Sequence, residues 1–371
     1  MKREDLRPLT SLRFFAALLV FLWHLPPAMA VAYVFSFGYA GVGFFFLLSG
    51  FILTYSYRHV FDADPNRSAI AAFYVARIAR VYPLLVVSTL IMLAVLGSVG
   101  GIAWDGEPTA ERVRAFVFQI TLLQSWSPTT AIHFGINGPA WSLSVEAFFY
   151  ALFPLLAVAM FRVTRRASAF RILAVAGALW LLLIAIVAPI PARIDEWGLY
   201  VFPPARLVDF VLGMMVGIAF LRRGAAAPWA LRATSVEILV VVGAALSIYV
   251  SPLLPLSLRF SAWLVPAWSA VVYVFACRRG VISRALSHPV MVRLGEVSYA
   301  FYLCHLAVIS LLRHTIGDRH ALIVPLAFGL TLALSFALYH GVEQPLRARI
   351  RRLFSGRVAC SASDGVLAAA S

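Results

Sequence analysis

Apolar stretches long enough to cross a lipid bilayer recur along this chain, and they leave it few ways to fold. A hydrocarbon core of about 30 Å needs roughly 20 apolar residues in helical form. Such runs lie near 9–31, 38–57, 82–103, 141–161, 170–190, 204–221, 233–251, 257–276, 295–313 and 321–340. Inside a bilayer no water satisfies the backbone, so runs of this kind fold as helices. The expected fold class is an all-α integral membrane protein with about ten transmembrane helices. Composition agrees: 62% of residues are hydrophobic and 13% charged, against about 25% charged in soluble domains. The stretch Val113–Trp126 is apolar but short, and reads as an interfacial or re-entrant helix.

Charge placement orients the spans. Most of the 31 basic residues fall in alternate connectors: Lys2 to Arg7, Arg58 to Arg80, Arg162 to Arg171, Arg222 to Arg232, Arg278 to Arg293, and Arg347 to Arg357. The other connectors hold Arg112, Arg114, Arg193 and Arg319 beside acids such as Asp105, Glu111, Asp195 and Asp318. The positive-inside rule then puts both termini in the cytoplasm. A net charge of +15 would point to nucleic acid in a soluble protein. Here orientation accounts for it, so the expected partner is the bilayer and not nucleic acid. Lys2 and Arg3 precede an apolar stretch as in a signal peptide, but Glu4, Asp5 and the internal Arg13 favour a retained first span. Residues 1–350 read as one membrane domain, and 351–371 as a basic, then disordered, cytoplasmic tail. The connection near 104–140 is long enough to form a lid or mouth and carries Trp104 and Trp126. Cys277, Cys304 and Cys360 have no paired spacing, and no metal-ligand pattern is present.

Arg13 and His24 both lie in the first run. In a helix, eleven residues return the chain to nearly the same face, about 16 Å further along the axis. An ionisable residue within a membrane is costly and is read by default as functional. In the second run, Gly41, Gly43 and Gly50 suit close helix packing. Alternatively, Ser49-Gly50 forms a kink that admits a narrow substrate. Arg77 and Arg80 share a helix face, either as anchors at the cytoplasmic boundary or as a phosphate clamp. The adjoining Tyr82-Pro83 is expected to end that helix and begin the next span. Trp141 suits an aromatic belt, and Glu146 lacks a basic neighbour in sequence. Ser298, Tyr299, Tyr302 and His305 fall on or near one stripe of the ninth run, where the bland reading of His305 is packing. Glu343 is expected to pair with a cytoplasmic arginine. No GxSxG, Walker loop, HExxH or zinc spacing occurs. A membrane histidine with arginines at the cytoplasmic mouth favours transfer chemistry from a phosphate-bearing donor, the imidazole of His24 acting as general base or receiving the acyl group transiently. A transporter or flippase of polysaccharide intermediates is the alternative, weakened by the lack of inverted repeats with broken helices.

Taken in order, six motifs resemble acyltransferase family 3, the membrane-embedded O-acyltransferases, over about residues 7–350. They are Ser11-Leu-Arg13 with ten residues before His24; Gly41 through Ser49-Gly50-Phe51; Arg77-x-x-Arg80 followed by Tyr82-Pro83; Trp141-Ser142 through Glu146, Tyr150 and Pro154; Leu294 through Ser298, Tyr299, Tyr302 and His305; and Glu343-x-Pro345. The resemblance implies transfer of an acyl group, commonly acetyl, from cytoplasmic acyl-coenzyme A to a hydroxyl of an extracytoplasmic glycan or glycolipid, such as exopolysaccharide or O-antigen. It implies a bacterial inner-membrane location, no permanently bound cofactor and no metal. Arg13 and His24 correspond to the family's essential pair, with Glu146 expected to orient or charge-stabilise His24. Arg77 and Arg80 correspond to its donor-binding pair, with Ser49 and Gly50 along the donor's path. Trp141, Ser142, Tyr299, Tyr302 and His305 are expected to line the substrate cavity. Ala307 stands where relatives often have proline.

Overall fold

The structure, a computed structural model, describes residues 6–25, 37–63, 65–98, 108–190, 197–223, 232–317 and 322–354. Among them there is no strand. The spans are α1 (Arg7–Trp23), α2 (Gly38–Phe61), α3 (Arg67–Ser98), α6 (Trp141–Val163), α7 (Ala169–Val187), α8 (Pro203–Arg222), α9 (Ala233–Val250), α11 (Val265–Cys277), α13 (Pro289–Ile316) and α14 (Ile323–Leu338). Short helices α4 (Thr109–Ile120), α5 (Thr130–His133), α10 (Leu256–Ser261) and α12 (Val281–Leu286) join them. Nine helical stretches among the described residues are long and apolar enough to cross a bilayer. The 17-residue α1 is the remaining expected span; its segment beyond Leu25 lies outside the described residues, as do Trp104 and residues 355–371.

Packing is driven here by close approach, because lipid tails are as apolar as leucine. The most extensive contact is α2 on α8, with α1 against α13 and α2. A Cβ on Gly50 would overlap the Phe210 carbonyl oxygen, and one on Gly213 would overlap that of Leu47. The two glycines thus let α2 and α8 cross backbone to backbone. Gly41 does the same for α2 against Ala16 of α1. In consequence α2 is central and mostly buried, whereas α7 is mostly exposed and faces outward.

Contacts between connectors separate the two ends of the bundle. At one end Ser11 Oγ donates to the Leu286 carbonyl (2.6 Å), Arg222 to the Arg165 carbonyl (2.8 Å) and Arg223 to Cys277 Sγ (2.9 Å). At the other, Tyr39 meets Ser251, Trp180 Nε1 donates to Ala262 (2.9 Å) and Trp197 Nε1 to Ser125 (3.0 Å). The arginine-rich connectors therefore gather at one end, as the alternating charge pattern requires.

One expectation needs correction. Tyr82-Pro83 does not end a helix: α3 runs through Pro83 without interruption for 32 residues. Proline removes one backbone hydrogen bond, here the one to the Ala79 carbonyl, and membrane helices tolerate such a loss within a packed bundle; Ala79 and Pro83 are both buried. Of the two readings of Gly50, close packing is the one borne out, in an α2 that is helical from Gly38 to Phe61. The stretch around Val113–Trp126 is, as expected, not a span: α4 has 12 residues, and the chain turns just past its end through a left-handed Leu122 (φ 58°). It leads into a segment tied down by buried amides. Gln119 donates to Thr89 (2.6 Å), Gln124 to the Ala140 carbonyl (2.8 Å), and Asn137 to the Leu303 carbonyl (3.0 Å).

Candidate active site

A cavity of about 220 Å³ lies among α1, α2, α3, α6 and α13. It adjoins a vestibule of about 1130 Å³ on the arginine-rich end. Arg13, Arg77 and Arg80 line both spaces. Helical periodicity explains what each element presents. From α6 come Ser142, Glu146 and Tyr150, each four residues apart; from α13 come Tyr299 and Tyr302; from α2 come Ser49, Ile52 and Leu53.

The polar groups divide between held and open positions. Arg80 forms a buried ion pair with Glu343 and lies over the Tyr299 ring, 4.8 Å from its centroid. Arg77 donates to the Tyr57 hydroxyl (3.3 Å) and sits 5.6 Å from the ring centroids of Tyr57 and Tyr150. Its Nε is buried without a hydrogen-bond partner. Such a donor, left unmatched at a cavity, suits a ligand that supplies an acceptor. Ser49 donates to the Glu146 carboxylate (3.1 Å). The vestibule adds Arg347 and Arg351, with Glu296 opposite in sign. The excess of guanidinium groups makes this a site for an anion, and their forks match phosphate oxygens.

At the other end of the cavity the Tyr302 hydroxyl donates to the Pro139 carbonyl (2.9 Å) and lies 2.9 Å from Ser142 Oγ. One turn further along α13, His305 is fully buried. Its Nε2 is 3.2 Å from Nδ1 of His24, which caps the C-terminus of α1. A wall of arginines, a chamber and an imidazole pair thus follow one another along the bundle.

A family model described as an acyltransferase domain matches residues 9–340. The chain belongs to acyltransferase family 3. This acyltransferase is 30% identical over 329 residues to acyltransferase MdmB of Streptomyces mycarofaciens, covering 81% of this chain and 78% of that protein. It is 26% identical to the exopolysaccharide production protein ExoZ of Rhizobium meliloti (strain 1021), covering 87% and 94%. A putative peptidoglycan O-acetyltransferase of Bacillus subtilis (strain 168), YrhL, is 25% identical, with 94% of this chain and 56% of that protein covered. No solved structure matches it.

Within the acyltransferase, Arg13, Ser49, Arg77, Arg80, Ser142, Glu146, Tyr299 and Tyr302 meet around the cavity as lining groups. Four expected residues lie elsewhere. Gly50 is against the α8 backbone. Trp141 is buried between Phe46 and Tyr200. His24 and His305 are beyond Tyr302 rather than on the cavity wall. Glu146 accepts from Ser49 on the α2 side, whereas His24 meets the Val20 carbonyl and His305. Arg347 and Arg351, which in sequence read only as topology anchors, line the vestibule, and their i, i+4 spacing after Pro345 is the signal of a shared face. Ala307 is buried, and α13 continues through it to Ile316.

Proposed function

We propose that this acyltransferase moves an acyl group, acetyl in the first instance, from cytoplasmic acyl-coenzyme A to a hydroxyl of an extracytoplasmic glycan or glycolipid. The carrying observation is the vestibule and cavity joined through Arg13, Arg77 and Arg80. Arg77, Arg347 and Arg351 hold the donor's phosphates, with Arg80 fixed beside them by Glu343. Arg13 takes part at the cavity entrance, where Glu146 balances part of the positive charge. The thioester arm runs past Ser49 toward Tyr302 and His24. The acceptor hydroxyl oxygen attacks the thioester carbonyl carbon, forming a C–O bond and breaking the C–S bond. His24 takes the hydroxyl proton and delivers it to the departing thiolate, so that an ester and free coenzyme A result.

The glycan acceptor is supported by the names of ExoZ and of the peptidoglycan O-acetyltransferase relative. The positive-inside pattern supports a cytoplasmic donor mouth in a bacterial inner membrane. Two measurements test the reading. Purified protein in lipid is given acetyl-coenzyme A with and without glycan, and thiol release is followed. Surface and secreted glycans from cells with and without the gene are compared by mass spectrometry. Glycan-dependent thiol release that vanishes in His24→Ala, with the protein still inserted, is the expected result. Full activity in His24→Ala would overturn the mechanism.

A further inference from the structure

The two buried histidines constrain one another through groups that have only one hydrogen-bonding option. A backbone carbonyl oxygen accepts and never donates. His24 Nδ1 lies 2.8 Å from the Val20 carbonyl oxygen, so in the neutral ring the proton is on Nδ1. His305 Nδ1 lies 2.7 Å from the Tyr302 carbonyl oxygen, which places its proton there too. His305 Nε2 therefore carries a lone pair, and it faces His24 Nδ1 at 3.2 Å. The Nδ1–H of His24 is shared between the Val20 oxygen and His305 Nε2, a three-centre arrangement common at helix ends. What is left on His24 is the Nε2 lone pair, the atom a general base needs.

The surroundings of His305 fit a fixed partner better than a substrate contact. Phe21 packs on it, and Phe301 and Phe328 complete an apolar shell around Phe21. His305 is 0% exposed, whereas His24 is partly exposed. The ring centroids of the pair are 4.9 Å apart and tilted by 60°. An acceptor behind the base both fixes its tautomer and holds the imidazolium that forms when Nε2 gains a proton, the part a carboxylate plays behind many catalytic or metal-bound histidines.

We propose that His305 is the positioning residue of the transfer reaction, accepting the His24 Nδ1–H so that the His24 Nε2 lone pair is presented to the acceptor hydroxyl. This rests on the acyl-transfer reading for its kinetic consequence but not for its geometry. No proton enters His305 in the step: the hydroxyl proton goes to His24 Nε2 and then to the thiolate.

The test compares His305→Gln, which keeps an acceptor oxygen near the Nε2 position, with His305→Phe, which fills the space without one. In lipid, His305→Phe is expected to lower kcat for acyl transfer by about a hundredfold, the upper range for losing the partner that orients a functional histidine. KM for acyl-coenzyme A should stay unchanged, and His305→Gln should recover most of kcat. Full kcat in His305→Phe, or equal loss in both variants, overturns the proposal. A second measurement is independent of turnover, and its first readout uses the native protein alone. Ring-nitrogen resonances of 15N-histidine-labelled native protein should report His24 protonated on Nδ1. They should also report His305 Nε2 as a hydrogen-bond acceptor, its shift relaxing in His24→Phe. His24 protonated on Nε2 instead, or a His305 Nε2 shift indifferent to His24, overturns the pair. A native protein with the expected shifts but no thiol release would sink the acyl-transfer reading alone.

Discussion

Arg77 and Arg80 have the same sequence signature and different fates. Arg80 is neutralised by Glu343; Arg77 keeps a buried Nε without a partner at the cavity. Arg77→Lys should raise KM for acyl-coenzyme A by about tenfold with kcat maintained, the equivalent of one charge-assisted hydrogen bond. Unchanged KM would return Arg77 to a topology anchor. Arg80→Ala should act mainly on stability, because it strands a buried carboxylate, a loss of about 3–5 kcal/mol. The thermal midpoint in detergent should fall, and Arg80→Ala with Glu343→Gln should recover part of it. Glu237 is a second buried carboxylate with a purely structural task. It accepts from the backbone N–H groups of Gly280 (2.9 Å) and Ile282 (2.9 Å), and from Ser283 Oγ (2.5 Å), at the start of α12.

At the scale of elements, the α2–α8 crossing carries the frame on which the cavity is built. Ser49 lines the cavity and Gly50 beside it faces α8, so adjacent residues divide between chemistry and packing. Gly50→Ala and Gly213→Ala should force the two helices apart and reduce the yield of monodisperse protein in size-exclusion chromatography. Gly177→Ala is the control: nothing lies within 4 Å of a Cβ on this α7 residue, and alanine favours helix over glycine by about 1 kcal/mol. Its thermal midpoint should be equal or higher. A Gly50→Ala protein as stable as the Gly177→Ala protein would show that the crossing tolerates separation. The continuity of α3 through Pro83 belongs to this scale as well. Local sequence argues for a break, whereas the burial of Ala79 and Pro83 among neighbouring helices, which lets the helix go on, is a property of the assembled bundle.

For the whole molecule, the separated ends predict sidedness. In a background without native cysteines, Arg166→Cys, in the connector after α6, should react with a membrane-impermeant maleimide only after permeabilisation. Thr109→Cys, at the start of α4, should react from outside in intact cells. The reverse pattern would invert the topology and with it the donor's side. The apolar runs, their alternating charges, the shared face of Arg77 and Arg80 and the stripe of the ninth run were legible in the chain. Each depends on residues near one another in sequence and on the energy of moving them into lipid. The placement of Arg13, Arg77, Arg80 and Glu146 at one cavity followed from those faces once the helices were assembled. Tertiary structure decided between the two readings of Gly50, chose Arg80 as the arginine that Glu343 holds, and alone brought His24 to His305 across 281 positions of chain. These are contacts between separate helices. Hydropathy fixes which helices enter the membrane, but which rotated faces meet is set by close packing and by hydrogen bonds that no single segment contains.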